Sequence, residues 1–150
     1  LQTQAIPTHG AADWESFKIG AEVYLACAFF SDDTANEIDS KIYRWNGTAF
    51  TEFQSIPTRG ALDWEPFEIE GYYYLGVANY TGESADYVID SDIYIWDGAS
   101  FAAHQGLPTS GANDLESFFI GEVPYIACAN LRGVSSFNIE SFLYVGAADE

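Results

Sequence analysis

Three segments of this chain spell one phrase: IPTHGAADWESFKI from Ile6, IPTRGALDWEPFEI from Ile56 and LPTSGANDLESFFI from Leu107. A second phrase recurs in phase: IDSKIYRWNGTAF from Ile38, IDSDIYIWDGASF from Ile89 and, more loosely, IESFLYV from Ile139. The period is about 50 residues, and the copies account for essentially the whole chain. Self-similarity at such a period restricts the fold to an array of one supersecondary unit.

Within a copy every segment has β texture. EVYLACAFF (22–30) and YYYLGVANY (72–80) are rich in β-branched and aromatic residues. KIYRW (41–45) and DIYIW (92–96) are short strands running into Asn46-Gly47 and Asp97-Gly98, which predict two-residue hairpin turns. AFTEFQSI (49–56) and SFAAHQGL (100–107) follow, and Pro-Thr-x-Gly is expected to break the strand before the next copy. No segment has helical periodicity. Four antiparallel strands per copy predict an all-β fold, a β-propeller with three four-stranded blades per chain. The chain is then one domain of three repeats, at about 7–56, 57–107 and 108–150.

The phrases PTHGAADWESF, YLACAFF and IDSKIYRWNGTAFTEFQSI resemble the epilepsy-associated repeat, also called the epitempin repeat, and the resemblance spans all three copies. That repeat occurs in leucine-rich glioma-inactivated secreted proteins and in some large adhesion receptors. The resemblance implies a propeller, seven-bladed in the family, that acts in extracellular protein recognition.

The ends also fit a propeller. LQTQAI (1–6), aligned on the following Pro, matches the fourth strand TEFQSI, whereas FLYVGAADE (142–150) matches a third strand and stops. An unpaired edge is a liability. The spare N-terminal strand is therefore expected to complete the last blade, of a partner chain or of the same chain. Propellers carry about four to eight blades, so two chains closing a six-bladed ring as a homodimer is the expectation.

Strand alternation places Asp13 and Glu15 on one face with Trp14 on the other; Asp63 and Glu65 flank Trp64, and Asp114 and Glu116 flank Leu115, in the same way. In a propeller the first strand lies nearest the axis, so these six carboxylates should converge on the channel. Crowded like charges call for protons or a cation. Ca²⁺, which takes carboxylate and carbonyl oxygens, is the candidate cofactor, with Mg²⁺ or Na⁺ as alternatives. The competing reading has the acids accepting backbone N–H bonds from the preceding Pro-Thr-x-Gly turn. Two His and two Cys offer no transition-metal pattern.

The acidic loops 31–40 and 81–91 and the less acidic 132–141 contain Asp39-Ser40, Asp90-Ser91 and Glu140-Ser141 in phase. They are either turn motifs or a variable binding rim on a rigid scaffold. Trp45, Trp96 and Tyr72 to Tyr74 are expected mainly in the inter-blade core. Cys27 and Cys128 occupy equivalent strand sites and read as small buried hydrophobes. His9 and His104 are not equivalent in the repeat, and neither reads as catalytic.

A net charge of −18 opposes binding to nucleic acid or anionic lipid, and no apolar run is long enough to insert in a membrane. Asn46-Gly-Thr and Asn79-Tyr-Thr are glycosylation acceptor patterns. With the absence of Met, they point to a secreted, processed product or an excised fragment. No nucleophile elbow, phosphate loop or zinc-protease motif is present, so an enzyme is not expected. The reading is a secreted binding protein engaging an extracellular protein or glycan. A multivalent lectin and a small-ligand or pigment carrier are the alternatives.

Overall fold

The structure is a computed structural model and describes residues 1–146. Its strands are β1 (Ala11–Ile19), β2 (Glu22–Phe29), β3 (Glu37–Trp45), β4 (Phe50–Arg59), β5 (Ala61–Ile69), β6 (Tyr72–Asn79), β7 (Asp90–Trp96), β8 (Phe101–Pro108), β9 (Ala112–Ile120), β10 (Val123–Asn130) and β11 (Phe142–Val145). They form three antiparallel meanders: β1-β2-β3-β4, β5-β6-β7-β8 and the three-stranded β9-β10-β11. The expected propeller blades are thus present, one per copy. The first strands β1, β5 and β9 pack side by side, which puts them innermost.

Each blade buries its faces against its neighbour. One cluster joins Tyr24, Ala26, Ile42 and Ile56 of the first blade to Trp64, Leu75, Val77 and Phe101 of the second. A smaller one joins Ala78 of the second blade to Leu115 and Cys128 of the third. The core therefore lies between blades, so a lone blade could not bury its apolar side chains. Cys27 and Cys128 are buried free thiols.

The expected strand-breaking role of Pro-Thr-x-Gly is corrected: β4 runs through Pro57 to Arg59, with Pro57 opposite Asp39. The outermost strand tolerates a residue with no N–H to donate. Gly60 makes the turn instead, at φ +54°, and a Cβ there would meet the Thr81 carbonyl oxygen at 2.8 Å. Its N–H donates to Asn36 O, and its carbonyl accepts the Tyr80 N–H. The expected two-residue hairpins are also corrected. Trp45 pairs with Phe50 across four residues, because Asn46 Oδ1 accepts the N–H groups of Thr48 and Ala49. Asp97 closes the next blade alike with Ala99 and Ser100.

Residues 1–8 form no strand and do not complete the third blade of their own chain. Gln4 lies instead against the start of β4, donating to Phe50 O and accepting its N–H. Gln54 treats Phe101 identically.

Candidate functional site

The inner strands all carry a β-bulge just ahead of the acidic phrase. Ala11 pairs with Phe29 but Asp13 with Ala28; Ala61 pairs with Asn79 but Asp63 with Ala78; Ala112 pairs with Asn130 but Asp114 with Ala129. One extra residue re-aims the strand. The aspartates then reach sideways to the next blade: Asp13 Oδ2 accepts the Trp64 N–H at 3.2 Å, and Asp63 Oδ2 accepts the Leu115 N–H at 2.9 Å. Glu65 Oε1 accepts both the N–H and the hydroxyl of Ser117, at 2.9 and 2.5 Å. These N–H groups belong to the exposed side of an inner edge strand, which otherwise has no partner. Glu15 makes no equivalent bond because the residue facing it is Pro66, which has no N–H.

The carboxylates are close enough to shift one another. Burial raises the Asp63 carboxyl to about 7, opposed by the Leu115 bond and reinforced by Asp13, Asp114 and Glu65. Glu65 and Glu15 are also held above the usual carboxylate range, chiefly by burial. Protonation and backbone N–H groups relieve the repulsion. Burial likewise pushes the Cys27 thiol to about 12, so it is inert as a nucleophile.

Asp13, Glu15, Asp63, Glu65, Asp114 and Glu116 thus share the hub, as the alternation implies. Among the described residues no three acidic, His or Cys side chains are grouped to hold a metal. Asp13, Asp63 and Glu65 each commit one carboxylate oxygen to the neighbouring blade. The backbone-capping reading fits better, with the donors coming from the next blade and not from the preceding turn.

A second set of polar residues ties β3-type strands to their neighbours. Ser40 and Thr58 share a hydroxyl–hydroxyl bond of 2.7 Å, Ser91 and Thr109 one of 2.9 Å, and all four are buried. The in-phase Asp-Ser and Pro-Thr pairs mark them in the sequence. Asn79 is part of the same layer and fully buried. Its Oδ1 accepts the Arg59 N–H, and its Nδ2 donates to Asp90 O and Asp92 Oδ2. The folded chain leaves no room for a glycan on Asn79. Asn46 is exposed at its turn and keeps the acceptor geometry open.

The loops between second and third strands all emerge at one end of the blades and are stitched together. Glu83 Oε1 accepts the N–H groups of Asn36 and Glu37 at 2.9 Å. The Arg132 guanidinium stacks between Tyr87 and Phe137, 4.5 and 5.0 Å from the ring centroids. Asp33, Glu37, Glu83 and Asp86 are exposed along this rim, which ends in exposed Val134 and Phe137.

A cleft of about 600 Å³ separates the second and third blades. Its cause is local. At the first junction Trp96 and Phe101 pack over Tyr24, Phe53 and Phe17. At the second, Gly146 stands where Trp96 would, His104 where Phe53 would, and no described residue takes the place of Phe101. Trp96 is inter-blade core as expected, whereas Trp45 is 40% exposed.

The sequence matches the EPTP domain over residues 2–46, 49–97 and 100–144, three matches each offset by one strand from a blade. The chain belongs to the EPTP family. The EPTP chain is also 42% identical, over 146 residues and 95% of its length, to the thrombospondin-type laminin G domain and EAR repeat-containing proteins of Homo sapiens and Mus musculus. It spans only 22% of each of those relatives. The EPTP blades contain no helix long and apolar enough to cross a membrane among the described residues.

Proposed function

We propose that the chain is part of an extracellular propeller that binds a protein partner bearing a basic surface through the stitched loop rim. The observation that carries this reading is the division of labour among polar groups. The Asp13, Asp63 and Glu65 carboxylates serve the blades themselves, and Glu37 and Glu83 tie the rim together, while Asp33 and Asp86 stay exposed on that rim. Glu83 and Arg132 fix that rim on a rigid scaffold, which lowers the ordering cost of recognition. Val134 and Phe137 add an apolar point beside the charge. EPTP membership and the relatives' EAR repeats support an interaction role over a catalytic one. A lectin with one sugar pocket per blade has less support, because Trp45, Trp96 and Gly146 hold equivalent places with unlike surroundings.

The competing reading is a small apolar ligand held in the cleft between the second and third blades, whose volume lies within the range of ligand sites. Staining of intact cells with a multimerised form of the chain tests both. Staining removed by surface proteolysis, retained after deglycosylation and weakened by Asp33→Lys with Asp86→Lys supports the rim. Staining blocked by free sugar, or insensitive to those reversals, overturns it.

A further inference from the structure

The turn after β3 and the turn after β7 are built alike but carry different chemistry. Asn46 and Asp97 are both exposed. Each is followed by a glycine at φ +102°, and a Cβ on either glycine would meet nothing within 4 Å. Each turn is closed by one backbone bond, from Asn46 N–H to Ala49 O at 2.9 Å and from Asp97 N–H to Ser100 O at 3.0 Å. In each, one side-chain oxygen accepts the N–H groups two and three residues further on. Asn46 Oδ1 also accepts the Thr48 hydroxyl at 3.0 Å. The difference is the leaving group. The Asn46 carboxamide can lose ammonia, whereas the Asp97 carboxylate has only an oxide to lose.

The Gly47 N–H makes no hydrogen bond among the described residues. Joining its nitrogen to Asn46 Cγ closes a five-membered imide, and glycine puts no β-carbon beside that nitrogen. The three donors on Asn46 Oδ1 already point at the oxygen on which charge builds when Cγ is attacked, an arrangement that stabilises an oxyanion. No other asparagine has this setting. Asn36, Asn79, Asn113, Asn130 and Asn138 are followed by Glu, Tyr, Asp, Leu and Ile, and Asn79 and Asn130 are buried.

We propose that the Asn46-Gly47 turn is a site of spontaneous deamidation, at which the chain exchanges a carboxamide for a carboxylate unless a glycan occupies Asn46. The Gly47 nitrogen gives its proton to solvent and attacks Asn46 Cγ. The N–Cγ bond forms, the Cγ–Nδ2 bond breaks, and the departing nitrogen takes up a proton and leaves as ammonia. Water then adds to one carbonyl of the imide and opens it to an aspartyl or an isoaspartyl residue. The aspartyl product has its precedent in Asp97, which closes the same turn on the same N–H groups, so the blade keeps its form. The isoaspartyl product inserts one carbon into the backbone and disturbs the pairing of Trp45 with Phe50. Both products add a negative charge and erase the Asn-Gly-Thr acceptor pattern, and a glycan on Nδ2 leaves no free carboxamide to react. Asp97 is inert by comparison, because the Ser100 and Ala99 N–H bonds hold its carboxyl below the usual carboxylate range and keep it ionised.

The test uses chain made in a host that adds no glycan, held warm at neutral pH. Intact mass should shift by the exchange of one amide nitrogen for oxygen. Peptide mapping should place the change at Asn46, with both aspartyl and isoaspartyl forms present and Asp97 unaltered. Gly47→Ala should slow the reaction about tenfold, and Asn46→Asp should fold and melt as the unaltered chain does. An unchanged mass, ammonia lost first from another asparagine, or an equal rate in Gly47→Ala would overturn the proposal. Should Gly47→Ala misfold, the product ratio decides: an imide opens to both isomers, whereas direct hydrolysis of the amide leaves aspartate alone. The turn lies at the end of β3 away from the rim, so these outcomes are independent of what the rim binds.

Discussion

Asp13 and Trp64 sit 51 residues apart and meet across the first blade junction, carboxylate oxygen to backbone N–H, and Asp63 repeats the same reach to Leu115. The acid of one blade thus satisfies the exposed edge of the next.

Removing one of these acceptors orphans a partly buried donor. Asp63→Ala should destabilise the chain by about 1–3 kcal/mol, whereas Asp63→Asn, which can still accept the Leu115 N–H, should cost much less. Chemical denaturation at pH 7 measures both. Equal losses would mean that the charge, and not the hydrogen bond, is what the site uses.

Stability should fall as pH rises. The Asp63 carboxyl ionises near 3.8 in its ordinary setting and near 7 in the fold. The folded state therefore binds more protons than the unfolded one between those values. The contribution is fully present below about pH 4 and is lost as pH rises through about 7, an effect of at most about 4 kcal/mol that solvent screening of this part-exposed group reduces. Glu65 and Glu15 shift in the same direction. Asp63→Asn should flatten most of this slope in denaturation series from pH 4 to pH 7.

Gly60→Ala should cost about 2–4 kcal/mol. It combines left-handed backbone with a Cβ pressed on the Thr81 carbonyl. Gly47→Ala, also at positive φ but with open space around it, should cost less, and thermal melts of the two variants separate strain from crowding.

The hydroxyl pair Ser91–Thr109 is buried, and Thr109 Oγ1 also donates to Ile89 O. Ser91→Ala also strips the Asn79 N–H of its acceptor. Each single change should cost about 1–3 kcal/mol, and Ser91→Ala with Thr109→Val less than the sum. A double-mutant cycle reads the coupling, and strict additivity would refute it.

In a secretory host, any N-linked glycan should be confined to Asn46. Asn46→Gln should remove it by intact mass. Asn79→Gln should leave the glycan mass unchanged and lower stability, because three hydrogen bonds depend on that amide.

Much of this was legible in the sequence. The repeated phrases fix the blades, and the alternation around Trp64 places Asp63 and Glu65 together on the hub side. The bulges were not legible, because one extra residue at Ala12 or Leu62 leaves no mark in a hydrophobic pattern. They decide where the carboxylates aim, so a cation site and a set of backbone staples look alike until the register is known. The acceptor pattern at Asn79 misleads for a similar reason. Three adjacent residues define the pattern, while burial comes from Ser91 and Asp90 on another strand. By contrast, the cleft could have been anticipated from Gly146 standing where IYRW and IYIW have Trp.

Each blade offers an acceptor forward and a donor backward, so the array has a direction. A duplicated copy inserted in frame would bring its own Asp and its own receiving N–H, and both new seams would be furnished at once. Blade number in such a lineage is therefore free to drift by whole units, while a unit placed in reverse order would find no match on either side.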